Sequence, residues 1–197
     1  MAETTGERFD GVDFYAEDFA DRTFVDCAFV RCDLTECTSA GARFERCEFA
    51  NSKLNASVHD GSGFVACTFR RTSLFDATLR GCKLQGSTFV EATLRPLRVD
   101  GGAWSYLVAR EADLRGVALR GVDLREADLT GCDLSGADLR GANLARAQLL
   151  GATLTGTDLR GADLSGIDLR GLRFDGTKVD PVLAIAVAEA AGVVVAE

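Results

Sequence analysis

The chain has 197 residues, 47% hydrophobic and 26% charged, which suffices for one domain, or two small ones, with a substantial core. Its 22 basic and 30 acidic residues give a net charge of −8, which disfavours direct nucleic-acid binding because an acidic surface repels phosphates. The longest apolar run, residues 182–188, is far shorter than the roughly 20 residues of a membrane helix. With no signal-peptide pattern at the start, we expect a cytoplasmic protein with reduced thiols and no membrane contact.

The chain begins with a segment, residues 1–8, that is predicted to be disordered. From Phe9 to Val179 every fifth residue is large and apolar: Leu or Phe fills 29 of these 35 positions without a break in the frame. The position two residues earlier is small in most units and contains all seven cysteines. The unit is clearest at residues 162–166, which read Ala-Asp-Leu-Ser-Gly.

A period of five fits neither a helix nor an isolated strand, but it fits a coil that turns one corner per unit. Four units make a square coil of 20 residues, and stacked coils pair their backbones about 4.8 Å apart. Glycine after the corner suits a turn that needs a positive φ. The 35 units predict about nine coils over residues 9–180, a rod roughly 40 Å long.

This pattern resembles the pentapeptide-repeat family, whose consensus is A(D/N)LXX, over residues 9–179. The resemblance implies an all-β solenoid: a right-handed quadrilateral parallel β-helix. The predicted core ladder includes Phe9, Phe14, Phe19, Leu114, Leu124, Leu134, Leu144, Leu154 and Leu164. Before residue 95 Phe pairs often with Cys, and this bulkier pair predicts an N-terminal half that is slightly distended or less regular.

Residues 95–110 interrupt the pattern and are predicted to form an irregular junction. They contain one of the two prolines, a glycine pair and the only tryptophan. The stretch is interpreted either as a repacked boundary between two repeat blocks or as a kink or projecting contact surface. The junction residues are Pro96, Gly101, Gly102, Trp104 and Tyr106.

Residues 181–197 are predicted to form a C-terminal helix followed by a short strand at 193–195. Asp180 is the expected N-cap, Pro181 begins the helix and Gly192 ends it. The helix is apolar nearly all round, so one face should cap the coil and the other should meet a second copy in a homodimer; a simple cap is the alternative. The candidate dimer interface is Val182, Leu183, Ile185, Ala186, Val187, Val193, Val194 and Val195.

The sequence carries little sign of catalysis. The cysteines at 27, 32 and 37 follow the repeat rather than a metal-ligand spacing, so they are interpreted as small buried residues. Ser39 and His59 stand 20 residues apart in one column and should hydrogen-bond in the core; a hydrolase using His59 is a remote alternative. We expect no catalytic residue, metal, cofactor or small-molecule substrate.

Carboxylates precede the central leucine throughout the second half. By themselves they indicate a solvated face with weak charge ladders, including an arginine column at 120, 140 and 160. Charge is uneven: residues 1–40 have 10 acids and 3 bases, residues 41–110 have 6 and 10, and residues 111–197 have 14 and 9. The carboxylates that form the candidate acidic surface are Asp113, Asp123, Asp128, Asp133, Asp138, Asp158, Asp163 and Asp168.

The tract at 94–97, the loosened stretch after it and the C-terminal ending are similar to the fluoroquinolone-resistance group of the family, most closely its mycobacterial branch. That resemblance implies a non-enzymatic dimer that imitates DNA, binds DNA gyrase without binding DNA, and inhibits gyrase or protects it from quinolones or other topoisomerase poisons. The candidate acidic surface would then face gyrase. The alternative is a structural scaffold for a different protein partner.

Overall fold

The computed structural model describes residues 3–196, a stack of coils in which nearly every rung pairs with the residue 20 positions further on. Backbone hydrogen bonds run in both directions between neighbouring coils. The Phe64 N–H donates to the Lys83 carbonyl oxygen at 2.7 Å, and the Lys83 N–H donates to the Ser62 carbonyl oxygen at 3.0 Å. All strand pairs are parallel. The predicted all-β solenoid is therefore confirmed.

Three sides of the rod carry short strands, and the fourth carries single bridges through Asp13, Asp33, Lys53, Ser73 and Thr93. The sheets have the orders β1-β3-β6-β9, β12-β10-β7-β4-β2 and β13-β11-β8-β5. Strands span about five coils, and single bridges continue the stack to the Asp158–Lys178 rung. The strands are β1 Glu3–Thr5, β2 Arg8–Asp10, β3 Thr23–Val25, β4 Ala28–Val30, β5 Thr38–Ala40, β6 Arg43–Glu45, β7 Glu48–Ala50, β8 Val58–Asp60, β9 Gly63–Val65, β10 Thr68–Arg70, β11 Ala77–Arg80, β12 Thr88–Val90 and β13 Leu97–Asp100.

The corners require left-handed backbone. The residue two positions after the large inward residue has a positive φ in almost every unit, for example +66° at Gly136 and +55° at Arg31. Glycine adopts this conformation without a Cβ penalty. This explains the high glycine count of the chain.

The core is the continuous ladder of inward side chains. Phe19 and the leucines at 114, 124, 134, 144, 154 and 164 are buried, whereas Phe9 and Phe14 at the open N-terminal end are half-buried. Phenylalanines of successive coils stack face to face, with ring centroids 4.8 Å apart for Phe44 and Phe64 and 4.9 Å for Phe29 and Phe49. This separation matches the coil spacing, so each ring fits directly over the one before.

The prediction that the N-terminal half is the less regular one is wrong, and so is the predicted disorder of residues 1–8 for the part that the structure describes, residues 3–8. Every strand in residues 3–196 lies before residue 101, so the phenylalanine-rich half is the more regular in strand pairing, because its stacked rings fit the coil spacing. The start is also shorter than predicted: β1 pairs with β3 in the register Glu3–Thr23, which backbone hydrogen bonds permit without a hydrophobic residue. Met1 and Ala2 lie outside the described residues.

The C-terminal helix, α1, spans Pro181–Ala190 after a short 3-10 turn at Leu169–Gly171. The Asp180 carboxylate accepts from the Leu183 N–H at 2.9 Å and caps the helix. At the other end, Gly192 at φ +85° lets the Val193 N–H donate to the Ala188 carbonyl oxygen at 2.9 Å. The predicted strand at 193–195 is wrong for this single chain, because the Val193 N–H bonds back to the helix and no described residue pairs with the segment as a strand.

Candidate partner-binding surface

The eight carboxylates of the candidate acidic surface each take part in the turn that forms a corner of the coil. Each accepts a hydrogen bond from the backbone N–H two residues later, as Asp138 does from Arg140 at 3.3 Å and Asp163 from Ser165 at 2.9 Å. Asn143 makes the same bond to Ala145 at 3.1 Å. The carboxylate oxygen therefore satisfies a turn donor that would otherwise face solvent, and an amide does the same.

These eight side chains do not form one face. Asp113 lies next to Asp133, and Asp138 next to Asp158, on different sides of the rod. The other pairs are separated by two coils: Asp123 and Asp163 flank Asn143, and Asp168 follows Asp128 by 40 residues. Each of the four sides thus contributes two carboxylates.

Arginines neutralise most of them. Asp138 contacts Arg120 at 2.6 Å and Arg140 at 2.9 Å, and Asp158 contacts Arg160 at 2.6 Å. The predicted arginine column is therefore part of an ion-pair ladder along one edge of the rod. The remaining close pairs are Asp113 with Arg115 and Arg95, Asp123 with Arg125, and Asp128 with Arg110.

The pKa values follow these contacts. The Arg140 guanidinium holds the pKa of Asp138 well below its usual range, and Arg115 does the same for Asp113. Hydrogen bonding to Arg160 lowers the pKa of Asp158 to about 2. Among residues 3–196, Asp163 and Asp168 have no cationic side chain within 4.0 Å, and Asp133 has only Arg115 at 3.6 Å. These three are the least neutralised members of the candidate acidic surface.

The N-terminal coils hold a second group of acids that the residue-level prediction missed. Asp13, Asp18 and Asp21 are exposed, and none of them contacts a Lys or Arg of the described chain within 4.0 Å. The charge count already pointed there, since residues 1–40 carry 10 acids and only 3 bases. The strongest uncompensated negative charge therefore lies at the N-terminal end of the rod.

The coils separate at the junction. On two adjacent sides no bridge joins Thr93 to Asp113 or Arg98 to Ala118 in the described chain, whereas the other two sides continue through Ala103 and Val108. Pro96 has no N–H to donate across this gap. A cavity of about 670 Å³ opens there, lined by residues 92–97, 113 and 115–117, and Arg95 reaches Asp113 across it at 3.0 Å.

The first missing bridge is that of Thr93, just before the predicted junction at residues 95–110. Within the junction, Ala103 and Val108 pair normally with the coils on both sides. Trp104 is buried in the large inward column, and Gly102 makes room for it, since a Cβ there would lie 2.8 Å from the Trp104 Nε1 atom. That Nε1 atom is buried without a hydrogen-bond partner. Gly101 is an ordinary corner at φ +62°, and Tyr106 is exposed with its hydroxyl 3.2 Å from Glu126.

The residues of the candidate dimer interface fall into two groups, one packed against the rod and one exposed. Leu183 is buried against the last coil, and Val187 and Ala186 are half-buried. Val182, Ile185, Val193, Val194 and Val195 are exposed, Val194 to 91%. The exposed set forms an apolar surface at the end of the rod.

His59 and Ser39 meet as predicted from their column. The Ser39 hydroxyl lies 2.6 Å from His59 Nδ1, and the Ser57 hydroxyl lies 3.0 Å from Nε2, so both ring nitrogens are satisfied. Burial lowers the pKa of His59 to about 4. Both side chains are at most 2% exposed, so neither can touch a substrate.

The seven cysteines are unpaired and buried. Burial raises the pKa of Cys37 to about 12 and that of Cys132 to about 11. Across residues 3–196, no three His, Cys, Asp or Glu side chains are grouped so that they could hold a metal ion. No helix in this part of the chain is long and apolar enough to cross a bilayer.

Known proteins share both the repeat and the rod. A family model for pentapeptide repeats matches eight copies within residues 110–179. The pentapeptide repeat protein MfpA of Mycobacterium tuberculosis is 42% identical over 76 residues, which cover 39% of this chain and 42% of that relative.

Solved structures match the whole rod. Full-length QnrB1, a plasmid-mediated fluoroquinolone resistance protein, superposes with a TM-score of 0.78 at 21% identity, covering 98% of this chain and all of that one. A trypsin-treated variant of QnrB1 gives a TM-score of 0.70 at 25% identity and covers 99% of this chain and 98% of that one. The five-residue repeat, the parallel coils and these matches agree: residues 110–179 carry the repeat of the pentapeptide repeat family, and the whole rod has the fold of QnrB1.

Proposed function

We propose that this chain is a non-enzymatic cytoplasmic protein that occupies the DNA-binding surface of DNA gyrase and so inhibits the enzyme, protects it from quinolones or other topoisomerase poisons, or both. The observation that carries the proposal is the shape and charge of the rod. Its coils repeat about every 4.8 Å, carboxylates lie on all four sides, and the net charge is −8. A basic groove that normally holds DNA would attract such a surface.

The relatives favour gyrase over other DNA-binding partners. QnrB1 is a plasmid-mediated fluoroquinolone resistance protein. The fluoroquinolone-resistance group that this sequence resembles is expected to act on DNA gyrase. MfpA aligns with only 39% of this chain, so it supports the proposal only through the 42% identity of the aligned repeats. The proposed partner is therefore gyrase itself rather than DNA, a membrane or a small-molecule substrate.

The exposed apolar end supports a homodimer joined through the C-termini. Val182, Ile185 and Val194 would be covered by the same residues of a second copy, as a two-fold interface requires. Two rods of roughly 40 Å, end to end, exceed two turns of B-DNA at about 34 Å each. The N-terminal acids would then lie at both tips, and Asp163 and Asp168 near the centre.

Within this proposal the carboxylates have two roles. Those paired with arginine, such as Asp138, mainly hold the corners, whereas Asp133, Asp163 and Asp168 face the partner together with the N-terminal acids. Asp→Asn substitutions separate the two roles, because Asn143 shows that an amide keeps the turn hydrogen bond.

A DNA supercoiling assay with purified gyrase tests the proposal. Added protein should reduce supercoiling or reduce quinolone-induced cleavage, and the effect should weaken as salt rises. Combined Asp13→Asn, Asp18→Asn and Asp21→Asn substitutions should reduce the effect more than Asp113→Asn, Asp123→Asn and Asp138→Asn, which remove equal charge from paired positions. No effect of the wild-type protein on either reaction would overturn the proposal.

A structural scaffold for another protein is the second candidate, and the arginine pairing favours it. Ion pairs at six of the eight candidate positions dilute the imitation of DNA. Retention of gyrase on immobilised protein at low salt would decide for the first candidate, and its absence alongside a different captured protein would decide for the second.

A further inference from the structure

The two ends of the rod are finished differently. The C-terminal end is covered by α1, with Leu183 buried against the last coil. The N-terminal end has no helix, and the backbone N–H groups of Arg8, Asp13 and Asp18 have no partner in the described chain. In later coils the equivalent groups donate to the preceding coil, as Asp33 does to the Val12 carbonyl oxygen at 3.1 Å.

This open end is a pairing surface for one kind of partner. Its free groups include acceptors as well as donors, since the Asp13 and Asp18 carbonyl oxygens accept no backbone hydrogen bond in the described chain, whereas the Asp33 and Thr38 carbonyl oxygens one coil later accept from Phe14 and Phe19. These groups recur every five residues around a square, so the donors of one first coil could meet the acceptors of another at the same spacing. Phe9 and Phe14 are only half-buried there, and Val12 is 36% exposed, so stacking would also bury apolar surface.

The position two residues before each large inward residue, here called the small inward column, is mostly charged rather than small in this coil. At positions 7, 17 and 22 it holds Glu, Glu and Arg, whereas from Cys27 onward no charged residue occupies it. Within residues 3–196 no coil lies below the first one, so these long side chains can extend over the open end. Charges pointing inward at a terminal coil are incompatible with another coil stacked on top.

Two of these residues form a lid over part of the core. Glu17 and Arg22 are joined by an ion pair of 2.8 Å, and the Arg22 guanidinium carbon lies 5.3 Å from the centre of the Phe19 ring. Phe19 is accordingly 1% exposed, although it belongs to the same coil as the half-buried Phe9 and Phe14. Cation–π contact and the ion pair together hold the lid in place.

We infer that Glu7, Glu17 and Arg22 form a charged end cap that prevents the N-terminal coil from stacking on the N-terminal coil of a second copy. The cap works against self-association at this end, so it does not depend on the proposed gyrase activity. If the C-terminal ends also dimerise, it keeps the dimer from growing into a filament, because a chain with two self-pairing ends polymerises.

The test replaces the cap with the small residue of later coils, in a Glu7→Ala, Glu17→Ala and Arg22→Ala variant of the full chain. Light scattering after size exclusion should show an increase of at least about twofold in mass over wild-type protein, growing with concentration. The matched control is Glu111→Ala, Glu126→Ala and Arg146→Ala, which removes the same charges from exposed corners and should leave the mass unchanged. A folded cap variant with wild-type mass would overturn the inference.

Hydrogen exchange on the wild-type protein gives a second test that does not depend on how the variant folds. The amides of Arg8, Asp13 and Asp18 should exchange rapidly, whereas the Asp33 amide one coil further should be protected. Protection of the first three amides in wild-type protein would show that the end is already paired, and would also overturn the inference.

Discussion

The two halves of the rod build the same coil by different means. Before residue 101 the coils pair as strands on three of their four sides, and stacked phenylalanines fill much of the core. After it, leucine and alanine fill the core, single bridges replace the strands, and an aspartate or asparagine caps most corners. The coil therefore does not depend on strand pairing alone, because turn chemistry can define each corner instead.

The corners show the same contrast. Of the 16 non-glycine residues with positive φ, 12 lie before residue 100 and 4 after it. The first half thus tolerates strained corners, and its aromatic stacking offsets their cost. The second half avoids the strain with glycine and gains a hydrogen bond from aspartate, so its many carboxylates have a structural cause that is independent of any partner.

The largest expected effect breaks the core of the second half. Leu134 is completely buried, so Leu134→Asp places a carboxylate where nothing can pair with it and should destabilise the rod by more than about 4 kcal/mol. Thermal unfolding followed by circular dichroism measures the loss. Thr153→Asp is the control, because it puts the same residue at an exposed position directly before a core leucine, where aspartate normally stands. An unchanged melting temperature in Leu134→Asp would contradict the core ladder.

The halves should also lose stability in different pH ranges. His59, in the first half, has its pKa lowered from 6.5 to about 4 by burial, so between these values the unfolded chain binds the proton that the folded chain refuses. Stability should therefore fall as pH drops from about 6.5 to about 4. His59→Phe places another ring in a column beside Phe64 and should flatten this part of the profile, measured by denaturant unfolding at each pH. If the unfolding free energy of the variant falls with pH as steeply as that of the wild-type protein, a group other than His59 causes the loss of stability.

The second half should respond at lower pH. Arg140 and Arg160 lower the pKa values of Asp138 and Asp158 below the unfolded value of 3.8, so the ion pairs stabilise the fold at neutral pH and are lost as pH falls below that value. Asp138→Asn keeps the corner hydrogen bond and should make the curve less steep below pH 3.8 without altering its shape above that value. A change confined to the range above pH 4 would contradict this account.

The sequence predicted the coil well because its signal is repeated 35 times and depends only on residue size. It predicted the Ser39–His59 contact for the same reason, since 20 residues make one coil. It indicated charge ladders with an arginine column, but not which arginine pairs with which aspartate, because that depends on the direction in which each arginine extends. It did not reveal the gap at the junction, because this depends on how neighbouring coils separate. The strand at 193–195 failed because valine content indicates extended backbone but does not supply a pairing partner.

The smallest expected effects come from single substitutions at a corner of each half. Ala66 is exposed at φ +53°, where a Cβ is strained, so Ala66→Gly should stabilise the first half by up to about 1 kcal/mol. Gly136→Ala, at φ +66° with open space around it, should cost about the same in the second half. Ala137→Gly is the control, since Ala137 is buried at an inward position and its loss should destabilise. For a chain of this size such changes correspond to shifts of about 2–4 °C in melting temperature. Stabilisation by Ala66→Gly together with destabilisation by Ala137→Gly would show that corner strain, and not glycine content, separates the two halves; destabilisation by both would mean that the first-half corners carry no strain.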